Sequence, residues 1–432
     1  MKTKPNKVKD FFKKVDAFFN KINEAFLSFF RKHYLLIAFI LIVALSLTVR
    51  LVFLPFVSGD MNHALLPWFN YLREFGGFKA LKTYPWVGSG ISKPGDYPVA
   101  YINLLALLSY IPGNPITLIK ISSILFDYVL AIGAVLIIRE FNKNNFLSLI
   151  AFAAFIFFPT SILNSAIWGQ SDQMYVALVV WTVWLLLRKH PVLAMIPLGF
   201  AISIKLQSVF FLPVLIYLWL AKEFKLRNML IIFLVIFSTF LPSYLAGAQF
   251  AMPFKMYYEQ ITSIYSNANY GAGSMYAFFE MAKFEDGINK GGVFLAFTFI
   301  GIALLILYHY QVPATKKNLV FVSVLFSLLS PFVLPHMHER YFYMADVFLI
   351  IYVIIYRRKY LFAALMSFSS VITYTHFLTG EYIFKFLGTD SVRLAALINL
   401  GLLVGLIFEA PKVLEKTPLL VSEELAINKE ED

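Results

Sequence analysis

Five short stretches of this chain carry side chains that could do chemistry, and each lies beside or between long apolar runs. In Ser58-Gly59-Asp60-Met61-Asn62-His63 a carboxylate stands where the first apolar run ends, with a glycine that permits a tight turn. Asp60 is either a general base facing a cavity or the cap of an interfacial helix. Gly95-Asp96-Tyr97-Pro98 reads as a turn with an N-cap signal, Pro98 fixing the start of the next helix. Asn164-Ser165-Ala166-Ile167-Trp168-Gly169-Gln170-Ser171-Asp172-Gln173 is a polar hairpin between two apolar runs. Asp172 could cap the helix that follows, yet Trp168, Gln170, Asp172 and Gln173 also offer a ring and hydrogen-bonding groups suited to sugar hydroxyls.

The fourth stretch, Ile204-Lys205-Leu206-Gln207-Ser208, sets one cation among apolar neighbours. A snorkelling lysine has this pattern, and so does an ammonium that meets an anionic headgroup. The fifth, Pro335-His336-Met337-His338-Glu339-Arg340-Tyr341, packs four ionisable residues at the end of an apolar run. Its histidines are two apart, not four apart as in helical zinc pairs, so a divalent metal has no support. Arg340, oriented by Glu339, suits a phosphate. Lys120 and Asp127 lie inside an apolar run, where an ionised group costs about 2.5 to 3.5 kcal/mol and needs a partner. For Asp127 that partner is expected within the helical bundle.

The elements that must hold these residues follow from composition. The 432 residues are 59% hydrophobic, 18% aromatic and 14% charged, with a mean hydropathy of +0.72. Soluble domains carry about 25% charged residues, so a soluble globule is excluded. A net charge of +12 could suggest nucleic acid, but Lys and Arg occur in short clusters between apolar runs and form no single stripe. Cysteine is absent, which removes disulfides and thiolate metal sites. Chemistry here must use carboxylate, imidazole, amine or amide groups.

A helix needs about 20 residues to cross the hydrocarbon layer. Apolar runs near that length lie at 34–54, 116–138, 146–165, 172–188, 191–205, 206–221, 228–249, 291–310, 318–335, 341–356, 360–377 and 392–409. They predict an all-α polytopic transmembrane helical bundle of about 12 to 13 spans with a large first outer loop at 55–98. The run 99–112 is too short to cross unaided and is expected to be re-entrant. Placing the basic clusters (Arg139 with Lys143, Arg188 with Lys189, Lys222 with Arg227, Lys316 with Lys317, Arg357 to Lys359) in the cytoplasm gathers the polar stretches on the opposite face. Residues 1–33 are basic with phenylalanines at helical intervals, and predict an amphipathic helix on the inner leaflet. Residues 34–409 form the transmembrane domain, and 410–432 an acidic cytoplasmic tail. Tyr257, Tyr258, Tyr265, Tyr270 and Tyr276 in the loop 250–290 either stack on a glycan or belong to an aromatic belt.

Read in order, the acidic residue after the first span, DYP at Asp96 to Pro98, a buried Asp, WGQSDQ, IKLQSVFFLP and HMHERYF resemble the GT-C superfamily of glycosyltransferases. The series is similar in particular to the endoplasmic-reticulum glucosyltransferases that extend the dolichol-linked N-glycan precursor, and to the mannosyltransferases of GPI-anchor assembly. Their stretches DYPP, HFQYN, FKQMALYYAP and HEK correspond to Asp96-Tyr97-Pro98, Trp168 to Asp172, Lys205 to Pro213 and His338-Glu339-Arg340. The likeness covers about residues 55–345. Val99 replaces the second proline, Trp168-Gly169 the HF pair and Arg340 the lysine, so sugar and acceptor identity do not carry over.

The resemblance implies a GT-C-like fold and inverting transfer of a hexose, glucose or mannose, from a polyprenyl-phosphate donor on the extracytoplasmic face. It implies Asp60 as general base and Lys205, Arg340 and His338 on the donor phosphate. Asp96, Tyr97, Trp168, Gln170, Asp172, Gln207 and Glu339 would contact substrate. No cofactor beyond the lipid-linked donor is implied, and the acceptor would be a lipid-linked, wall-polymer or protein glycan. The Lys- and Asn-rich, cysteine-free composition points instead to a bacterial plasma membrane, and the basic clusters to cytoplasmic chain ends. A transporter or flippase of lipid-linked sugars also uses buried charges in a many-helix bundle. It is disfavoured here by the absence of an inverted repeat and the one-sided polar residues.

Overall fold

The structure, a computed structural model, describes residues 7–91, 95–262, 267–279 and 286–415. The N-terminal six residues, Tyr265, and residues 416–432 of the acidic tail therefore lie outside the described residues. The protein is an all-α polytopic helical bundle whose one sheet among the described residues is a parallel pairing of β1 (Asn269–Tyr270) with β2 (Met337–His338).

Helices occupy all twelve apolar runs, but not at equal length. Seven are long and apolar enough to cross a membrane, and an eighth span forms if α5 (Asn145–Ile156) and the segment Pro159–Trp168, bent by 49° between them, count as one. Four others are shorter: α7 (Asp172–Leu187), α8 (Pro191–Ile204), the segment Leu206–Leu220, and α14 (Tyr343–Tyr356). Uniform full-length spans were the expectation, and the structure corrects it for a physical reason. Apolar sequence continues through the break at Leu206–Phe211, which folds as a 3-10 turn, so hydropathy alone does not show where the helix stops. At 1.5 Å per residue the 14 residues of α8 and the 16 of α7 reach about 21 to 24 Å, against about 30 Å of hydrocarbon.

The first span and the surface helix expected before it are one uninterrupted element, α1 (Lys7–Val52). The expected boundary at residue 33 separates no two helices. Between α1 and the bundle stand α2 (Leu66–Glu74) and α3 (Val99–Ser109). Tyr97, just before α3, bonds to the polar hairpin. Just beyond α3, Arg73 of the same outer loop donates to the carbonyls of Ile111 and Gly113. Hydrogen bonds thus tie one end of α3 to the polar hairpin and the other to α2.

The basic clusters gather at the other end. Glu140 takes Arg188 at 3.4 Å and Lys316 at 2.6 Å; Lys317 meets Glu415 at 3.1 Å, Lys189 meets Glu223 at 2.9 Å, and Arg358 meets Glu409 at 2.8 Å. Two buried cations join α1 to α4 (Pro115–Arg139). Arg50 pairs with Asp127 at 2.8 Å with both side chains fully buried, and Ser161 and Ser165 donate to the same carboxylate. The Lys120 ammonium donates to the carbonyls of Phe53, Leu54 and Phe56 at 3.0, 3.2 and 2.5 Å. Those carbonyls follow the end of α1, beyond the reach of its helical hydrogen bonds, and that of Phe53 also accepts from the Phe56 amide.

Candidate active site

Five sequence-separated segments deliver one polar cluster, and three of them owe their shape to a local departure from regular helix. Asp60 precedes a π-helical turn, Met61–Leu65. Trp168 ends a second π-turn, Leu163–Trp168, a widened geometry frequent at functional sites. Gly169 then adopts φ +73, and a Cβ there would lie 2.6 Å from the Met61 side chain and 3.2 Å from that of Lys120. Only glycine fits a left-handed turn closed on both sides. Lys205 is the extended residue between α8 and the 3-10 turn that follows it.

Asp60, about a quarter exposed, is held through a single oxygen. Its Oδ2 accepts from Trp168 Nε1 at 3.1 Å and from Gln170 Nε2 at 2.6 Å, and Arg340 approaches to 3.5 Å. Gln170 Oε1 in turn accepts from the Tyr97 hydroxyl at 2.8 Å, and Ser123 donates to the Gln170 carbonyl. Ser58 donates to the Trp168 carbonyl and accepts from the Met61 amide. Two side chains of α15 (Tyr360–Thr379) pack on the Trp168 ring: Phe377 stacks at 4.9 Å and Tyr374 meets it edge-on at 5.5 Å.

Beside this carboxylate lies an ion network. Asp172, at the start of α7, binds Lys205 at 2.7 Å and stands 3.7 Å from Arg340; Arg340 meets Glu339 at 2.5 Å. The guanidinium lies over Trp168 and Tyr341, and the Lys205 ammonium over Tyr97 and Tyr341, contacts that favour a cation. Burial would push the Glu339 carboxyl up, but Arg340 and His338 hold it below the ordinary carboxylate range. Burial pushes the Tyr97 phenol well up despite Arg340 beside it, so it remains a donor at neutral pH. Asp172 Oδ2, Glu339 Oε2 and Arg340 Nε are buried without a hydrogen-bond partner, and buried polar atoms in that state favour contact with a polar ligand.

The three acidic residues that could have been helix caps are not. Asp60 makes no side-chain cap bond, Pro98 and not Asp96 precedes α3, and Ser171 and not Asp172 precedes α7. Lys205 does not snorkel; it is 3% exposed and paired. Its pairing with Asp172, and that of Arg340 with Asp60 and Glu339, mean that neither cation stands idle. Asp96 is exposed, and its carbonyl accepts from Gln260 of α11 (Met252–Thr262). His338 stacks on Tyr270 at 4.8 Å and lies 3.7 Å from Glu339. Gln207 sits half-buried on the 206–211 turn and makes none of the cluster's hydrogen bonds. Among the described residues no group of three or more His, Cys, Asp or Glu side chains could hold a metal ion. Ser58, Tyr341, Tyr374 and Phe377 were not foreseen as site residues; Ser58 and Tyr341 stood within the polar stretches beside Asp60 and Arg340, whereas Tyr374 and Phe377 carried no signal.

A recessed, water-reachable carboxylate among paired cations and aromatic rings suits a reaction on a sugar held at the membrane. The profile of Glycosyltransferase family 87 matches residues 97–335, more than half of the chain. This chain belongs to glycosyltransferase family 87. No curated protein matches it. The matched segment of this family 87 enzyme contains Tyr97, Trp168, Gln170, Asp172 and Lys205, while Asp60 and Arg340 lie outside it and join them through geometry. The family supports the GT-C-type reading and makes the protein a membrane glycosyltransferase.

Proposed function

We propose that this glycosyltransferase moves a hexose, glucose or mannose, from a polyprenyl-phosphate donor to an acceptor hydroxyl, with inversion and with Asp60 as general base. The observation that carries the reading is the way Asp60 is held. Trp168, Gln170 and Arg340 all address Oδ2, which fixes the carboxylate plane and assigns Oδ1 to the acceptor proton. The hydroxyl oxygen bonds to the anomeric carbon, the bond to the phosphate oxygen breaks, and Asp60 keeps the proton. A phosphate monoester leaves without an acid but needs positive charge as it departs. Lys205 and Arg340 supply it by exchanging part of their pairing with Asp172 and Glu339 for the phosphate oxygens. His338, near Glu339, tunes that exchange.

No cofactor beyond the lipid-linked donor enters this reading. The choice of hexose rests on the resemblance to the dolichol-pathway glucosyltransferases and the GPI-anchor mannosyltransferases. Trp168, Tyr97, Gln170 and exposed Asp96 would contact the sugar and the acceptor, a lipid-linked, wall-polymer or protein glycan. The basic loops at the far end support an extracytoplasmic site with cytoplasmic chain ends, and the Lys- and Asn-rich, cysteine-free composition supports a bacterial plasma membrane.

The test is transfer of labelled glucose or mannose from synthetic polyprenyl-phosphate donors in proteoliposomes, wild type against Asp60→Asn. Positioned general bases contribute about 100- to 10,000-fold, and a loss of that size is expected, with the product anomer inverted by NMR. Unchanged transfer in Asp60→Asn would remove Asp60 from the role. Sugar crossing the vesicle wall without transfer would replace the proposed reaction by transport.

A further inference from the structure

The N-terminal half of α1 is built unlike the rest of the chain. Over residues 11–30 the rings of Phe11, Phe18, Phe19, Phe26 and Phe29 are 54 to 63% exposed, and their close ring contacts are within the helix itself, as for Phe26 with Phe30 at 4.6 Å. At 100° per residue these rings, with Phe12, Val15, Ile22 and Phe30, fall within an arc of about 120°. Lys14, Lys21 and Lys32 lie along one border of that arc, and Lys13 and Arg31 on the face behind it. Asp16 and Glu24 are the acidic residues of the same stretch, so its charge is positive.

We propose that this half-helix is a membrane-surface arm that docks on anionic phospholipid at the end of the bundle carrying the basic loops. Three observations select a lipid surface as the occupant. The arc is wider than the narrow a/d seam of a paired coiled coil and is all aromatic or aliphatic. The basic border would repel a parallel second copy but complements acidic headgroups. The helix also continues without interruption into the first span, which places its aromatic face at the bilayer boundary. For the span to stand across the membrane and the arm to lie in its plane, docking must bend the continuous α1 near Arg31, Lys32 and His33. Rings at that depth gain burial, while lysines reach the headgroups.

The cysteine-free chain permits single spin labels on the full-length protein in vesicles. Labels at Phe18→Cys, Phe19→Cys and Phe26→Cys should be accessible to oxygen, and labels at Lys13→Cys and Glu24→Cys to a water-soluble nickel chelate. That alternation should sharpen from pure phosphatidylcholine to vesicles that also contain phosphatidylglycerol, and the sharpening should be lost in Lys14→Glu/Lys21→Glu. Uniform water accessibility along 13–26 overturns the proposal. Dipolar broadening between labels would make a second copy the occupant and overturn it too, as would alternation indifferent to phosphatidylglycerol. Transfer activity is a separate readout, so loss of the arm's docking and failure of the proposed reaction are distinguishable.

Discussion

One oxygen of Asp60 receives two neutral donors and a guanidinium, and the consequences can be tested one donor at a time. Trp168→Phe retains the stack on Phe377 but removes the indole N–H. A hydrogen bond to a charged group contributes about 1.5 to 3 kcal/mol to stability and Trp168 is fully buried, so the melting temperature should fall, and the rate constant for transfer per folded molecule should fall with it. If the variant turns over like wild type, the indole does not orient the base. Glu339 gives a pH test. Its carboxyl titrates below the ordinary range in the folded protein, so its contribution to stability is complete above that range. The contribution is lost as pH falls through the folded value. Glu339→Gln should lose about 2 kcal/mol near neutral pH and show a flatter acid limb, measured by thermal unfolding in detergent from neutral to acid. At this scale the sequence showed which residues were out of place in a bilayer, Asp60, Asp172, Lys205 and Arg340, but not their partners. Whether an aspartate caps a helix or binds a lysine 33 positions away depends on tertiary contact alone. Tyr374 and Phe377 were hidden for the opposite reason, as aromatic residues in an apolar run look alike whether they face lipid or a tryptophan.

Helices that stop early make the site possible. α7, the segment Leu206–Leu220 and α14 begin at or just after Asp172, Lys205 and Arg340, and α8 ends at Ile204, next to Lys205. At 1.5 Å per residue α7, α8 and α14 fall about 6 to 9 Å short of the hydrocarbon thickness, and their ends carry or adjoin the ion network. The hairpin that closes the cluster depends on Gly169. Gly169→Ala puts a non-glycine residue in the left-handed region, which costs about 1 to 2 kcal/mol, and drives a methyl into Met61. Both the melting temperature and transfer should drop, and Gly169→Ala/Met61→Ala should recover only the part due to the clash. Full recovery would show that φ is not the constraint. Periodicity and length predicted a helix at each of the twelve apolar runs, but not α2 or α11, which lie in segments read as loops. They did not predict which helices would be short, because the residues after Lys205 are as apolar as those before it.

At the scale of the whole molecule, basic loops at one end and the carboxylate-cation network at the other are what hydropathy and charge asymmetry foresaw. The ties that hold the first helix to the rest were less visible: Lys120 and Asp127 stood out as costly, but Arg50 at the end of the first run did not. Removing one partner of a buried ion pair costs about 3 to 5 kcal/mol. Asp127→Leu alone should therefore be strongly destabilised in a detergent melt, and Arg50→Met/Asp127→Leu should regain most of the loss. A double variant no better than the single would show that the serines, not the arginine, hold that carboxylate. The pair also has an order in time. Arg50 leaves the ribosome 77 residues ahead of Asp127, which at roughly 5 to 20 residues per second is several seconds. Throughout that interval a lone guanidinium rides at the end of the first segment to reach the bilayer. Pulse-chase labelling of Asp127→Leu should then show newly made chains degraded within minutes of synthesis, a failure of assembly that no assay on purified enzyme would register.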